Sequence, residues 1–531
     1  MSAFIEHAFI KENTIEARDY QASLAKSVIE KGSSLIVAPT ALGKTVVAAI
    51  VIAEMLAQKK GRVLFLAPTK PLVQQHSNTL KKLLKVEPEK IATITGTIKA
   101  RERKQVFDSA LIVCSTPQCT RNDLAKKRIS LEGFALAVFD EAHRAVGDYA
   151  YVDIAKAFNS QNPLGLVLGM TASPGHERKK IEEVANNLFV KNFEIKTLED
   201  SDVAPYVKKV NLEWRLIELP KEFEKISLLL QAYLKKNLSD LKQAGLAPTD
   251  NPKYFSRKRI LDLQAKVSER IKSHGHKAPF LYAIASKIAC TLMASHALLL
   301  IETQGPQALN DYFEKNLAKP REGKTSRALS MFLKDERIKH AIVETRKVAV
   351  EGTEHSKLTE LKKIVSLQFE ENPFSRIIVF NHYRDSVAFV AGKLKELPKA
   401  RVQQFIGQAS KGKSKGLSQK EQAEIIKKFE EGEYNVLVAT SVAEEGLDIP
   451  ACDLVVFYEP VPSEIRHIQR RGRTGRIKKG RAIILMAKGT RDEAFYWSAK
   501  RKEGKMTRTL KRLQSKTQEL QTKLGDFNAR N

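Results

Sequence analysis

The sequence is poor in cysteine and contains none of the spacings that build zinc or disulfide sites. Its 531 residues include four cysteines, Cys114, Cys119, Cys290 and Cys452, which form no CxxC pair and have no histidine at zinc-ligand spacing. A structural zinc site and a disulfide framework are therefore not expected. Isolated thiols of this kind are typical of a reduced, cytoplasmic protein.

Long apolar runs are also lacking. A secretory signal would need an uninterrupted apolar core near the N-terminus, where this chain has Glu6, Lys11 and Glu12. The longest apolar stretch, residues 46–57, is interrupted by Glu54. Because a transmembrane helix needs about 20 apolar residues, we expect no membrane association and a cytoplasmic location.

Acidic residues are too few to balance the basic ones. The chain has 90 Lys and Arg against 61 Asp and Glu, a formal net charge of +29. A surplus of this size favours a polyanionic partner, either nucleic acid or an acidic membrane surface. At about 100–200 residues per domain, the length predicts about three folding units.

Three regions of different character follow one another. Residues 34–196 alternate short apolar runs with amphipathic segments, the pattern of a doubly wound parallel sheet, and this pattern returns after residue 357. Between them, residues 201–351 carry apolar residues at helical spacing and are expected to be all-helical, with a basic centre. We divide the chain into residues 1–200, 201–355, 356–500 and a basic helical tail, 501–531. The predicted buried strands are residues 34–38, 63–67, 111–115, 136–140, 166–170, 376–380, 435–439, 454–458 and 481–486.

A phosphate-binding loop follows the first predicted strand. Residues 38–45, Ala-Pro-Thr-Ala-Leu-Gly-Lys-Thr, depart from GxxxxGK[ST] only by Ala38 in place of the first glycine, and they open a predicted helix as the motif requires. Backbone N–H groups and a helix N-terminus bind phosphate well. Lys44 is suited to neutralise the β- and γ-phosphates and Thr45 to ligate a metal. The predicted cofactors are ATP and Mg²⁺.

Two further motifs supply what ATP hydrolysis needs. In Asp140-Glu141-Ala142-His143, at the end of a predicted strand, Asp140 is suited to hold the magnesium hydration shell and Glu141 to polarise the attacking water. His143 is placed to couple the nucleotide to nearby polar groups. Residues 469–476, QRRGRTGR, carry four arginines suited to stabilise charge on a transferring phosphoryl group. A plain basic patch for nucleic acid is the alternative interpretation.

These three motifs, in this order, resemble those of superfamily 2 helicases. The sequence is most similar to the helicase part of archaeal Hef, which is related to the Fanconi-anaemia M translocases. Residues 140–144, 169–175 and 405–421 carry that likeness, which extends over nearly the whole chain. It implies two RecA-like doubly wound parallel-sheet motor domains with an all-helical insert between them, 3'-5' polarity, and DNA as the partner, forked or branched DNA in particular.

The same resemblance assigns roles to individual residues. The implied catalytic residues are Lys44, Asp140, Glu141, Gln469, Arg473 and Arg476, with Thr45 and Asp140 at the metal. The implied ATP contacts are Arg18, Gln21, Thr40, Gly43, Lys44, Thr45, Gly446 and Asp448. The implied strand contacts are Thr69, Lys70, Thr95, Gly96, Thr116, Arg384, Gln408 and Thr440, to which we add Arg257, Lys258 and Arg259 of the basic insert. Coupling is assigned to His143, Thr171 and Ser173.

One departure and two alternatives bear on function. Many Hef proteins continue into a nuclease with a GDx-ERK metal site; residues 177–179 spell ERK but lack the upstream aspartate, so we expect no nuclease activity in this chain. We expect a monomeric motor, with a separate nuclease or a sliding clamp as a possible partner.

The alternatives are an RNA-directed motor of the RIG-I type and an inactive scaffold for branched nucleic acid. The presence of Lys44, Asp140 and Glu141 argues against the scaffold.

Overall fold

The structure is a computed structural model. It describes residues 4–39, 42–172, 178–206, 211–252, 255, 257–274, 279–382, 384–407, 416–440, 452–460, 481–494, 496–498, 500–502, 504–505, 508–509 and 512.

The first motor domain is built on a seven-stranded parallel sheet with the strand order β3-β4-β2-β5-β6-β1-β7. Its strands are β1 (Ser34–Val37), β2 (Arg62–Leu66), β3 (Ile91–Ile94), β4 (Ile112–Ser115), β5 (Phe134–Asp140), β6 (Leu166–Thr171) and β7 (Asn192–Ile195). Its helices are α1 (Asp19–Lys31), α2 (Lys44–Ala57), α3 (Lys70–Leu83), α4 (Ala100–Ser109), α5 (Pro117–Ala125), α6 (Ala150–Gln161) and α7 (Arg178–Asn187). Successive strand residues point to opposite faces, so Ile36 packs in one core and Leu35 and Val37 pack in the other. Both faces are covered by helices, which explains why the interior strands are apolar throughout.

The second motor domain has a six-stranded parallel sheet with the order β10-β11-β9-β12-β13-β8. Its strands are β8 (Asn211–Ile217), β9 (Ile377–Phe380), β10 (Val402–Phe405), β11 (Val436–Ala439), β12 (Leu454–Phe457) and β13 (Arg481–Ala487). Its helices are α14 (Ser356–Glu371), α15 (Arg384–Leu394) and α16 (Gln419–Glu431). The same alternation holds, because Ile377 and Val379 face one core while Ile378 and Phe380 face the other.

Between β8 and α14 in the chain lies a bundle of six described helices with its own core. They are α8 (Lys221–Gln243), α9 (Arg257–His274), α10 (Pro279–Thr303), α11 (Pro306–Arg321), α12 (Arg327–Lys334) and α13 (Glu336–Val350). Phe223, Leu234, Ile288 and Phe313 are among the fully buried side chains that hold the bundle together. The predicted architecture of two doubly wound domains and a helical insert is confirmed.

Two sequence expectations about the insert are corrected. Residues 211–217, which we expected to be helical, form β8 and pair with β13 from Asn211 opposite Arg481 to Ile217 opposite Ala487. Helix α10, rather than residues 46–57, is the described helix that is long and apolar enough to cross a membrane by length and composition alone. Most of its apolar segment is buried inside the protein, as in the core helix of a folded domain.

The insert joins the second motor domain through buried polar contacts. Arg491, just after β13, donates to the Ser295 carbonyl and hydroxyl of α10 at 3.0 Å. The His355 ring donates from Nε2 to the Glu302 carbonyl (3.1 Å) and accepts at Nδ1 from the Lys357 backbone N–H. Burial lowers the pKa of His355 to about 3, so this ring is neutral. These contacts fix the C-terminal end of α10 against the second domain.

We expect Glu302→Gln to make the protein more stable at alkaline pH. Burial raises the pKa of Glu302 to about 7, and its Oε2 is buried without a hydrogen-bond partner. A carboxyl whose pKa is raised by folding contributes its full stability below the unfolded pKa of about 4.3 and loses it as pH rises through the folded pKa. Wild-type protein should therefore lose roughly 2 kcal/mol between about pH 5.5 and about pH 8 that the variant keeps.

Tryptophan fluorescence suits this measurement. The two tryptophans of the chain, Trp214 in β8 and Trp497 after β13, have ring centroids 5.7 Å apart and both lie in the second motor domain. Urea midpoints at the two pH values should diverge between wild type and Glu302→Gln. The exposed Glu222→Gln change in α8 is the matched control. Equal pH dependence in all three proteins would contradict the assignment.

Candidate nucleotide and nucleic-acid site

The phosphate loop leads from β1 into α2. Gly43 adopts a left-handed conformation (φ 67°, ψ 44°) at the N-cap of α2, which favours glycine, and a Cβ there would displace the Gln21 amide, whose Nε2 would lie only 2.7 Å away. Lys44 is buried, and its Nζ donates to the Ala38 carbonyl at 2.8 Å. The amine is thus turned back into its own loop, the position from which it can meet phosphate oxygens.

Gln21 and Arg18 lie beside this loop in different surroundings. Gln21 is buried, and its Nε2 donates to the Leu42 carbonyl (3.0 Å) and to the Tyr20 hydroxyl (3.2 Å). Arg18 pairs with Glu16 at 3.0 Å and lies over the Tyr206 ring, 5.9 Å from its centroid. Gln21 therefore contacts the loop itself, while Arg18 and Tyr206 form the neighbouring surface.

Asp140 and Thr45 form the candidate metal site. Burial alone would raise the pKa of Asp140, but the adjacent His76 ring and the Lys44 ammonium outweigh it and hold that pKa below its ordinary value. An ionised carboxylate and a hydroxyl are hard oxygen donors that fit Mg²⁺, which usually takes one or two protein oxygens and fills its other positions with water and phosphate. Over the ranges given above, no three or more His, Cys, Asp or Glu side chains group into an all-protein metal cage.

His76 is a functional candidate to which the family resemblance assigned no individual role. It follows Thr69 and Lys70, two implied strand contacts, on the same helix, yet its Nε2 lies 2.9 Å from Asp140 Oδ2 and its Nδ1 lies 3.3 Å from Thr45 Oγ1. These contacts join residues 31 and 64 positions apart. No local sequence signal indicates them.

Glu141 combines a left-handed backbone with a buried carboxylate oxygen that accepts no hydrogen bond. Its backbone is left-handed (φ 49°, ψ 48°), a conformation that costs a non-glycine residue about 1–3 kcal/mol and often marks a functional site. Its Oε2 is buried and has no hydrogen-bond partner. His143 Nδ1 lies 3.2 Å from that oxygen, outside hydrogen-bonding geometry, and 3.1 Å from Thr171 Oγ1 at the end of β6. The histidine thus stands between the acidic motif and the residue assigned to coupling.

The implied strand contacts share one edge of each sheet. Thr95, Thr116 and Thr69 follow β3, β4 and β2, three neighbouring strands, and the nucleotide residues follow β5, β6 and β1 on the other half of the same edge. In the second domain, Thr440 follows β11 and Arg384 follows β9, its neighbour. Because the carboxyl ends of parallel strands lie together, ligands of such sheets bind along this edge.

Several of these side chains have unused hydrogen-bonding capacity. The hydroxyls of Thr69 and Thr440 are buried and lack a partner, as does Nη1 of Arg384, whose Nη2 donates to the Gly407 carbonyl at 2.7 Å. Thr95 instead bonds Thr97, hydroxyl to hydroxyl, at 2.8 Å. Among the implied strand contacts of the first domain, Lys70 and Gly96 are exposed, whereas Thr116 is buried at the N-cap of α5.

The remaining assigned residues lie apart from this edge or outside the described chain. Arg257 and Arg259 are exposed on α9 of the insert, which packs on α10. The residues outside the described ranges are Thr40, Ser173, Gln408, Gly446, Asp448, Gln469, Arg473 and Arg476, together with the side chain of Lys258 and most of the predicted basic tail.

An inward-turned loop lysine that faces an acidic strand end is the arrangement of P-loop nucleoside triphosphatases. Comparison with known proteins narrows that class. Three family models match in succession: "DEAD/DEAH box helicase" at residues 18–181, "Putative ATP-dependent RNA helicase, helical bundle" at 222–352 and "Helicase conserved C-terminal domain" at 356–478. The crystal structure of the Pyrococcus furiosus Hef helicase domain matches with a TM-score of 0.70 and 43% identity, over 91% of this chain and 98% of that one.

Curated relatives agree with this match. The chain is 40% identical over 513 residues to a "Putative ATP-dependent RNA helicase" of Methanocaldococcus jannaschii, covering 96% of this chain and 63% of that protein. It is 31% identical over 494 residues to the ATP-dependent DNA helicase mph1 of Neurospora crassa, covering 90% and 41%. It is 29% identical over 523 residues to the mouse Fanconi anemia group M protein homolog, covering 92% and 25%. The chain therefore belongs to the superfamily 2 helicases, in the group formed by Hef and the Fanconi-anaemia M proteins, and spans 25–63% of these curated relatives.

Proposed function

We propose that this protein is an ATP-dependent DNA helicase or translocase that acts on forked or branched DNA in repair or replication-fork processing. The observation that carries the proposal is that two groups of assigned residues lie side by side at the carboxyl ends of the strands of the first sheet. Nucleotide residues occupy the ends of β5, β6 and β1, and hydroxyl-bearing residues occupy the ends of β3, β4 and β2 beside them. A phosphate-releasing centre and a strand-binding surface on one rigid sheet are what a nucleic-acid motor needs.

The nucleotide half of the edge supports hydrolysis. Lys44 is placed to bind phosphate oxygens, Thr45 and Asp140 would hold Mg²⁺, and Glu141 is placed to orient the attacking water through Oε2, which accepts no hydrogen bond. When bound, Mg²⁺ neutralises charge that develops on the phosphates. We assign the ribose and γ-phosphate contacts of the second domain to Gly446, Asp448 and Gln469, and the arginine fingers to Arg473 and Arg476, on the family resemblance.

The other half of the edge supports binding of a strand by its backbone. A buried hydroxyl without a partner carries the cost of desolvation until a ligand arrives, and a phosphate oxygen is a suitable acceptor. Thr69 and Thr440 offer such hydroxyls in the first and second domain respectively. Contacts of this kind are independent of base sequence, as a motor that moves along a strand requires. We add Gln408 to this surface and propose 3'-5' polarity, both on the resemblance.

The insert supports preference for branched DNA. Arg257 and Arg259 are exposed cationic side chains on α9, a helix of the insert rather than of either sheet. A branch point offers a second arm for this surface, and two linked contacts raise affinity where geometry lets both engage. Relatives named as DNA helicases support DNA as the nucleic acid, although the Methanocaldococcus jannaschii relative is named a putative RNA helicase. A monomeric motor that works with a separate nuclease or a sliding clamp fits this proposal.

ATPase stimulation tests the proposal directly. The full chain should be assayed at one fixed salt concentration with a fork, a four-way junction, linear duplex, single-stranded DNA and structured RNA, because backbone binding depends strongly on salt. We expect DNA to stimulate more than RNA, and the fork and junction to bind more tightly than duplex. Lys44→Ala, which removes the loop amine, is the control for ATPase activity from other sources. Equal stimulation by RNA would favour the RIG-I-like alternative, and absence of hydrolysis would favour the scaffold.

We expect Arg257→Ala, Lys258→Ala and Arg259→Ala together to weaken fork binding and flatten its salt dependence. Each lost phosphate contact should reduce the log–log slope by about 0.9 on duplex and about 0.7 on single strands. The same charge removed from α11, at Lys315, Lys319 and Arg321, serves as the matched control in the same bundle. Identical slopes for wild type and the α9 variant would exclude these residues from the contact.

A further inference from the structure

We infer that His76 is a positioning residue of the metal site and that helix α3 carries the effect of strand binding to it. This inference rests on the proposed function. It adds a coupling route within the first motor domain, separate from the contact between His143 and Thr171 on the other side of the sheet edge.

The His76 ring is fixed from three directions. It is 5% exposed, its Nε2 lies 2.9 Å from Asp140 Oδ2, and its Nδ1 lies 3.3 Å from Thr45 Oγ1. The ring packs at a tilt against Phe65 of β2, with centroids 4.7 Å apart. Asp140 is also held from behind, because the Tyr151 hydroxyl donates to its carbonyl at 2.7 Å. The histidine thus lies within hydrogen-bonding distance of both proposed metal ligands at once.

The donors and acceptors in the two hydrogen bonds of His76 leave the oxygens of Asp140 and Thr45 available to a cation. An ionised Asp140 can only accept, so the ring must donate from Nε2. In its neutral form the ring then accepts at Nδ1, and the Thr45 hydroxyl donates its proton there. This leaves the lone pairs of Thr45 Oγ1 and the second oxygen of Asp140 for the metal. A neighbour that orients ligands in this way typically contributes about 10–100-fold in metal affinity.

The same residue sits on the helix that begins at the proposed strand contact. Thr69 is the N-cap of α3 and Lys70 its first residue, and His76 follows Thr69 by two helical turns, about 10 Å along the axis. Residues Lys70–Leu83 form one continuous helix, so a displacement at its N-terminus is carried along it. A phosphate that occupies the unpartnered Thr69 hydroxyl and shifts α3 therefore shifts His76 relative to Asp140.

Coupling of this kind is reciprocal and can be measured by binding alone. If strand and metal–nucleotide affect one helix, each must change the affinity of the other by the same factor. The experiment uses the full chain as wild type, His76→Ala, His76→Gln and the control Gln74→Ala, an exposed position of the same helix. Fluorescent ADP is titrated with Mg²⁺ and with EDTA, and labelled single-stranded DNA is titrated with and without a non-hydrolysable ATP analogue and Mg²⁺.

We expect His76→Ala to weaken ADP binding by about 10-fold in Mg²⁺ and to leave binding in EDTA unchanged. Its DNA affinity without nucleotide should match wild type, while the change in DNA affinity caused by the analogue should fall towards none. Glutamine can still donate to Asp140, so His76→Gln should recover part of both effects, and Gln74→Ala should show neither. Equal weakening in Mg²⁺ and EDTA would overturn the positioning role, and an unchanged nucleotide effect on DNA would overturn the coupling role. Failure of the proposed function would appear in the wild-type protein itself, as absence of DNA binding.

Discussion

Glu141→Gln is expected to abolish ATP turnover while the protein still binds ATP and DNA. Glutamine has nearly the same size and preserves the left-handed backbone at this position, where φ is 49°. It lacks the negative charge that polarises water, and it places an amide where Glu141 has a carboxylate whose Oε2 accepts no hydrogen bond. A positioned acid or base contributes about 10²–10⁴-fold to a rate, so the chemical step should slow by at least that lower bound.

Single-turnover hydrolysis with excess enzyme separates this effect from product release. Nucleotide and DNA affinities should stay within the range of wild type, because neither Lys44 nor the β3-β4-β2 edge is altered. The exposed Glu132→Gln change, a few residues before the same strand, provides the matched control. A Glu141→Gln chemical step near the wild-type rate would remove Glu141 from the hydrolytic centre.

The second large effect concerns the stability of the second motor domain. Lys357, at the start of α14, and Asp492, after β13, form an ion pair in which both side chains are almost completely buried. Burial raises the pKa of Asp492, and the Lys357 ammonium opposes that rise. Removing one member of a buried pair typically costs about 3–5 kcal/mol, because the other charge is left without a partner, whereas replacing both is often neutral.

We therefore expect Asp492→Asn to destabilise the domain by about 3–5 kcal/mol and the added change Lys357→Met to restore most of that loss. Asparagine retains an oxygen that can accept from the Ala487 backbone N–H, now 3.1 Å from Asp492 Oδ2, so the local turn is preserved in both variants. Urea unfolding followed by the fluorescence of Trp214 and Trp497, which lie in this domain, measures the change. Additive losses in the double variant would show that the pair contributes no coupling energy.

The strands that the sequence predicted are the interior ones. The four it missed, β3, β7, β8 and β10, are the four edges of the two sheets. Interior strands are covered on both faces and become continuous apolar runs, which can be recognised without a structure. Edge strands tolerate polar side chains, as in Gln403 and Gln404 of β10 or Glu213 and Arg215 of β8, and they lack that signal.

The parts of the candidate site that could be predicted are likewise those that are contiguous in the sequence. The phosphate loop and the acidic motif are contiguous in sequence, and their positions after β1 and β5 follow from strand patterning. The contact of His76 with Thr45 and Asp140 depends on how α3 packs over the sheet, and the left-handed backbone of Glu141 depends on the turn after β5. Neither has a signature in a single sequence.

The membership of β8 in the second sheet determines how the protein can be cut into fragments. A fragment that starts at residue 356, where the C-terminal family match begins, would contain β13 and its neighbour β12 but not β8, the strand that pairs with the other side of β13. The apolar strand Arg481–Ala487 would then become an open edge seven residues long, which is a template for association with other chains. A fragment that starts before Asn211 and keeps the insert should stay monodisperse on size-exclusion chromatography, whereas the shorter one should aggregate. In the intact protein the chain leaves the second motor domain after β8 and re-enters it at α14. The insert is therefore attached to that domain at both ends, and a rotation of the domain should carry the cationic α9 helix with it.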